Sequence, residues 1–112
     1  MDPKSRKDAP VPLPVRRAMR GVSDSVSRWR RLRGVTQAQL AERAGVSRGV
    51  VRRLEAGDGG VSVENLLRIL RALGVAELMT DALDPLNSDI GRLRAEQALP
   101  ERVRPRRLSG DG

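Results

Sequence analysis

The sequence has no cysteine, histidine, phenylalanine or tyrosine, and a single tryptophan, Trp29. Each absence removes a class of chemistry. Without Cys and His there is no zinc finger, no disulfide framework, no thiol nucleophile and no imidazole base. Metal and cofactor sites are therefore not expected; a metal would have to be held by carboxylates alone. The missing aromatics leave a small aliphatic core of Leu, Val and Ala, with occasional Ile and Met. They also leave no platform for stacking single-stranded bases. No apolar run approaches the roughly 20 residues of a membrane-spanning helix. Lys4, Arg6 and Lys7 are followed by no apolar stretch of signal-peptide type, so a cytoplasmic location is expected.

What is abundant is positive charge. The 112 residues carry 22 Lys and Arg against 14 Asp and Glu, a net charge of +8. The excess is unevenly placed: residues 1–20 are net +4, residues 28–53 net +7, residues 54–99 net −4 and residues 100–112 net +2. A chain polarised in this way, with its cations gathered in one stretch, fits a helical module that meets a polyanion.

Pro3, Pro10, Pro12 and Pro14 stand among the charges of the first 20 residues and predict a flexible, partly extended arm. Val22, Val26 and Trp29 follow at helical spacing and put Trp29 in the core. Thr36 with Gln39 makes a capping box before the helix Gln37–Ala44. Gly45 stops that helix, and Ser47 caps the next, which runs to about Ala56. After Gly57, Gly59 and Gly60, Ser62 caps a fourth helix rich in leucine. A fifth is expected over about Val75–Leu83, and a weakly amphipathic segment over Asp89–Leu99.

Two short helices joined by Gly45-Val46-Ser47 are the informative part. Ala41 provides the small residue that lets two helices cross closely. Gly45 provides a positive φ at little cost. Leu40, Ala44, Val46, Val51 and Leu54 recur at the offsets that plug such a joint. Together they predict a helix-turn-helix. No nucleophile–base pair accompanies it, and Gly57-Asp58-Gly59-Gly60 has no following Lys and lies between helices, so it is a turn and not a phosphate-cradling loop. An enzyme is not expected.

The stretch Arg30 to Ser47, with Arg53-Leu54-Glu55-Ala56-Gly57 and Leu70-Arg71-Ala72-Leu73-Gly74-Val75, resembles the Cro and phage-repressor helix-turn-helix family, also called the XRE family. The resemblance covers residues 22 to about 83. It implies an all-α fold: a compact five-helix lambda-repressor-like domain over residues 21–84. A flexible basic arm (residues 1–20) precedes it, and residues 85–112 follow as a short helix and a basic, disordered tail. It implies a sequence-specific regulator, a repressor in the first instance, that binds double-stranded DNA at a palindromic operator as a homodimer on the nucleoid. The third helix enters the major groove. Base contacts carry over to Ser47, Arg48, Gly49 and Arg52, and phosphate contacts to Thr36, Gln37, Arg43 and Arg53. Arginine pairs bidentately with guanine, so half-sites containing G·C are expected. Arg30 and Glu55 match an internal structural ion pair.

Two departures stand out. Gly49 replaces a side chain often used for base contact, and the loop Gly57–Gly60 lacks a basic residue. The arm cations, and Arg102, Arg104, Arg106 and Arg107, read equally as DNA-following or as solubilising charge. Leu78, Met79, Leu83 and Leu86 beside Asp81, Asp84 and Asp89 suit a dimer or partner surface. The segment Asp84–Arg94 is also similar to the tails of short XRE regulators encoded beside HipA-like kinase toxins. That similarity implies an alternative, an antitoxin of the HipB type that binds a kinase-type toxin and represses its own operon.

Overall fold

The computed structural model describes residues 9–98, and all regular structure among them is helical. We number the helices α1 (Leu13–Leu32), α2 (Gln37–Ala44), α3 (Arg48–Glu55), α4 (Val63–Leu73) and α5 (Ala76–Leu83). A 3-10 turn, Pro85–Asn87, follows, and residues 89–98 form a further helical segment, α6. The chain divides into two compact units, one ending at Val75 and one starting at Ala76.

The first helix corrects the expected boundary at residue 21: it begins at Leu13, so residues 13–20 are helical and are not an arm. Pro12 is the N-cap and Pro14 lies in the first turn, where the missing N–H would have no intrahelical partner and the fixed φ suits a helix. The part of the expected arm before residue 9, with Lys4, Arg6 and Lys7, lies outside the described residues, as do Leu99 and the arginines of the C-terminal tail.

The inward face of α1 is also rotated from the expected one. Ser23 and Val26 are each 1% exposed, whereas Val22 is 40% exposed. A serine can be buried here because its Oγ donates to the Met19 carbonyl at 2.9 Å, leaving no unpaired hydroxyl. Trp29, expected in the core, is only half-buried. The Arg33 guanidinium stands 5.6 Å from its ring centre, and Arg33 Nε donates to the Leu73 carbonyl at 3.0 Å. Arg33 thus clasps the end of α4 to α1, a contact that closes an orphan helix carbonyl.

The caps of α2 to α4 follow the local chemistry. Thr36 Oγ1 accepts from the Gln39 N–H at 3.0 Å, and Gln39 Oε1 accepts from the Thr36 N–H at 2.8 Å. Ser47 and Ser62 cap α3 and α4 without the return bond, each Oγ accepting from the N–H three residues on, at 3.2 and 3.0 Å. Leu40, Val51 and Ile69, one from each of α2, α3 and α4, are fully buried, and Leu73 is 2% exposed. Burying side chains of this size contributes about 1.5–3 kcal/mol each.

The expected domain end at residue 84 falls instead after Val75. Val75 is the last buried side chain among the described residues, and its N–H donates to the Leu70 carbonyl at 2.9 Å, closing the α4 exit. The compact unit is therefore built on α1 to α4, with α5 in the second unit. No described residue from 76 to 98 is fully buried.

Candidate nucleic-acid interface

The geometry of the joint is set by Gly45, which takes φ +72° and lets the Val46 N–H reach the Ala41 carbonyl at 3.0 Å. The chain then turns directly into α3. Val50, Val51 and Leu54 bury one side of this eight-residue helix. Ser47, Arg48, Arg52 and Arg53 are exposed on the other. Arg48 and Arg52 are one turn apart and share a face. Among the described residues, none of these three arginines forms an ion pair. Gly49 is half-buried, and a Cβ there would meet only Ser47 Oγ at 3.8 Å, an ordinary contact. Nothing in the fold therefore requires a glycine at 49.

Arg30 and Glu55 meet in a forked ion pair. Arg30 Nε donates to Glu55 Oε2 at 2.7 Å and Nη2 to Oε1 at 3.0 Å, while Nη1 donates to the Val35 carbonyl at 3.1 Å. The two side chains are only 14% and 7% exposed. Burial pushes the Glu55 carboxyl up, but hydrogen bonds from Arg30, Gln37 and Ser27, with the Arg30 charge, outweigh it and hold the group below its usual range. The Arg30 guanidinium is held above its own by hydrogen bonding to Glu55, against the opposing effect of burial, with the carboxylate charge adding to the rise.

Gln37 Nε2 donates to Glu55 Oε1 at 3.1 Å, so one carboxylate ties the end of α3 to both α1 and the start of α2. One N–H of the Gln37 amide is thus engaged inside the protein; its second N–H has no bond among the described residues and stands with the Thr36 side and the first-turn N–H groups that the capping box leaves over. Arg43 sits in the last turn of α2, about 9 Å along the axis from Gln37 at 1.5 Å per residue. It shares a cleft of about 300 Å³ with Arg68 and Arg71, floored by Ala44 and Ala72. Three sets of residues expected at the interface are therefore held differently: α3 displays its arginines freely, Gln37 is internally bonded, and Arg43 joins a second basic cluster.

In the second unit, Leu78, Leu83 and Leu86 are 58%, 72% and 55% exposed and Met79 is half-buried. Ile90 and Leu93, exposed to 63% and 55%, join them. No helix among the described residues is long and apolar enough to cross a membrane.

Sequence reasoning missed Arg33 as a structural contact. The Trp29–Arg33 spacing of four on one helix was a usable signal for a cation over a ring; the bond to Leu73, 40 residues away, had none. A family model described as Helix-turn-helix matches residues 26–78. No curated protein and no solved structure matches the chain significantly.

Proposed function

Residues 26–78 belong to the helix-turn-helix family of Cro and phage-repressor (XRE) type, whose members are DNA-binding regulators of transcription, and from that premise we propose that the chain is a sequence-specific repressor. It binds a palindromic operator as a homodimer, with α3 of each copy in the major groove and the two half-sites about 34 Å apart, one turn of DNA. The observation that carries this reading is the outward face of α3: Arg48, Arg52 and Arg53 are exposed and, among the described residues, free of acidic partners while the opposite face is buried.

In this reading Arg48 and Arg52, with Ser47 and the backbone at Gly49, meet base edges, and the arginines fork onto guanine O6 and N7. Thr36, the start of α2 at Gln37, Arg53 and, at the far end of α2, Arg43 meet phosphates. The Arg30–Glu55 pair holds α3 at its angle and touches no DNA. The protein works in the cytoplasm on the nucleoid, and no catalytic step is assigned to it.

A second reading is favoured by the acidic, apolar character of residues 76–98, where Leu78, Leu83, Leu86, Ile90 and Leu93 are exposed. It makes the same DNA-binding unit an antitoxin whose second unit covers a kinase-type toxin. This reading requires a kinase-like protein encoded beside the gene.

Selection of bound duplexes from a random pool tests the first reading. The parent should enrich one palindromic site, and Arg48→Ala and Arg52→Ala should each relax it at defined positions. Enrichment of no sequence sinks the repressor reading; enrichment of the same site by both variants sinks the base-contact assignment.

A further inference from the structure

We propose that Arg20 is a DNA-backbone contact, seated against the α3–α4 turn at the end of the recognition helix; this rests on the reading that α3 enters the major groove. The turn after α3, residues 56–61, contains no cation. Its one charge, Asp58, is negative and exposed, its Oδ1 accepting from the Gly60 N–H at 2.7 Å. A turn of this composition adds nothing for a phosphate beyond what Arg53 offers from the last turn of α3.

The first half of α1 lies across the turn and fills that gap. Arg20 Nη2 donates to the Ala56 carbonyl, at the C-cap of α3, at 3.2 Å. Two glycines of the turn make room for this. Gly57 has φ +91°, and a Cβ on it would lie 2.9 Å from Arg20 Nη2; a Cβ on Gly59 would lie 2.6 Å from Met19 Sδ. The glycines that look in sequence like a weakened loop are thus the seat for two consecutive residues of α1.

Arg20 still has donors to give. Its guanidinium carries five N–H groups, and the Ala56 bond takes one. Asp24 approaches at 3.8 Å, but both side chains are more than half exposed, at 57% and 58%, so water screens that pair. The position is also right. Eight residues make α3 about 12 Å long, and the major groove is about 12 Å wide. With the N-terminal residues of α3 on the base edges, its C-terminal end stands at the groove wall, where the phosphates run. The cation that the turn lacks is supplied there from 36 residues earlier in the chain.

Salt titration of the full chain on its selected duplex tests this, because each phosphate neutralised adds about 0.9 to the slope of log affinity against log salt. Arg20→Gln keeps a donor for Ala56 and removes the charge, so its slope should be shallower by about 0.9 for each protomer bound. Arg20→Lys keeps the charge and should keep the parent slope. Thermal midpoints of both variants, measured in parallel, separate binding from folding; neither change empties the core. A Gln variant with the parent slope overturns the Arg20 assignment and leaves the DNA-binding reading standing. A parent chain that enriches and binds no duplex overturns both.

Discussion

Removal of the Glu55 carboxylate tests the central joint of the protein. In Glu55→Leu, two Arg30 donors lose their acceptors, at 2.7 and 3.0 Å, and the Gln37 amide loses its own at 3.1 Å. The guanidinium stays behind at 14% exposure, with the Val35 carbonyl as its remaining protein partner among the described residues. Taking one partner from a buried pair costs roughly 3–5 kcal/mol. The Val35 bond and the residual solvent edge place this case near the low end, at about 3 kcal/mol. For a domain of this size a loss of 1 kcal/mol lowers the midpoint by about 4–8 °C, so the drop should be roughly 12–24 °C. Arg30→Met should cost a similar amount, whereas the double variant, with neither charge present, should recover most of the loss, giving a coupling of about 3 kcal/mol or more. Melts and urea titrations followed by far-UV circular dichroism give all four corners of the cycle. A Glu55→Leu cost below about 1 kcal/mol, the worth of a surface pair, would refute the reasoning from burial.

Acid should act on the same group. The Glu55 carboxyl is held below its usual range in the fold, so its stabilisation is complete above the ordinary glutamate value of about 4.3 and is lost as pH falls through the lowered folded value. The melting temperature of the parent should decline below about pH 4, and Glu55→Leu should flatten that part of the descent. Two glycines should respond with opposite signs. Gly45→Ala forces a side chain into φ +72° and should cost about 1–2 kcal/mol in urea unfolding. Gly49→Ala meets only Ser47 Oγ at 3.8 Å and should gain about 0.5–1 kcal/mol in the same assay.

The helix-turn-helix was legible because its determinants are local. Thr36 with Gln39, Gly45, Ser47 and Ser62 each sit within four residues of the backbone groups they satisfy, so spacing alone locates α2, α3 and α4. The start of α1 was not, because prolines at 12 and 14 read as helix breakers although both fall where proline costs nothing. The buried face of α1 was misjudged for a related reason. Hydrophobic spacing favours Val22 over Ser23, and the hydroxyl's bond to Met19, four residues back, that makes Ser23 apolar in effect is invisible to a hydropathy count. Charge was the least legible property. Arg20, Arg30 and Arg33 reach partners 36, 25 and 40 residues away, and no periodicity distinguishes them from the free arginines of α3. Only the family resemblance marked Arg30.

The clasp of Arg33 on Trp29 has a practical side. With no tyrosine or phenylalanine in the chain, every near-ultraviolet signal from the protein comes from the one indole ring. That ring sits beneath the guanidinium that binds the end of α4, at the joint between the first and fourth helices. Its emission therefore tracks the integrity of the scaffold at a single point. The protein carries its own optical gauge of folding, and loosening of the scaffold can be followed in the same cuvette in which a labelled duplex reports binding.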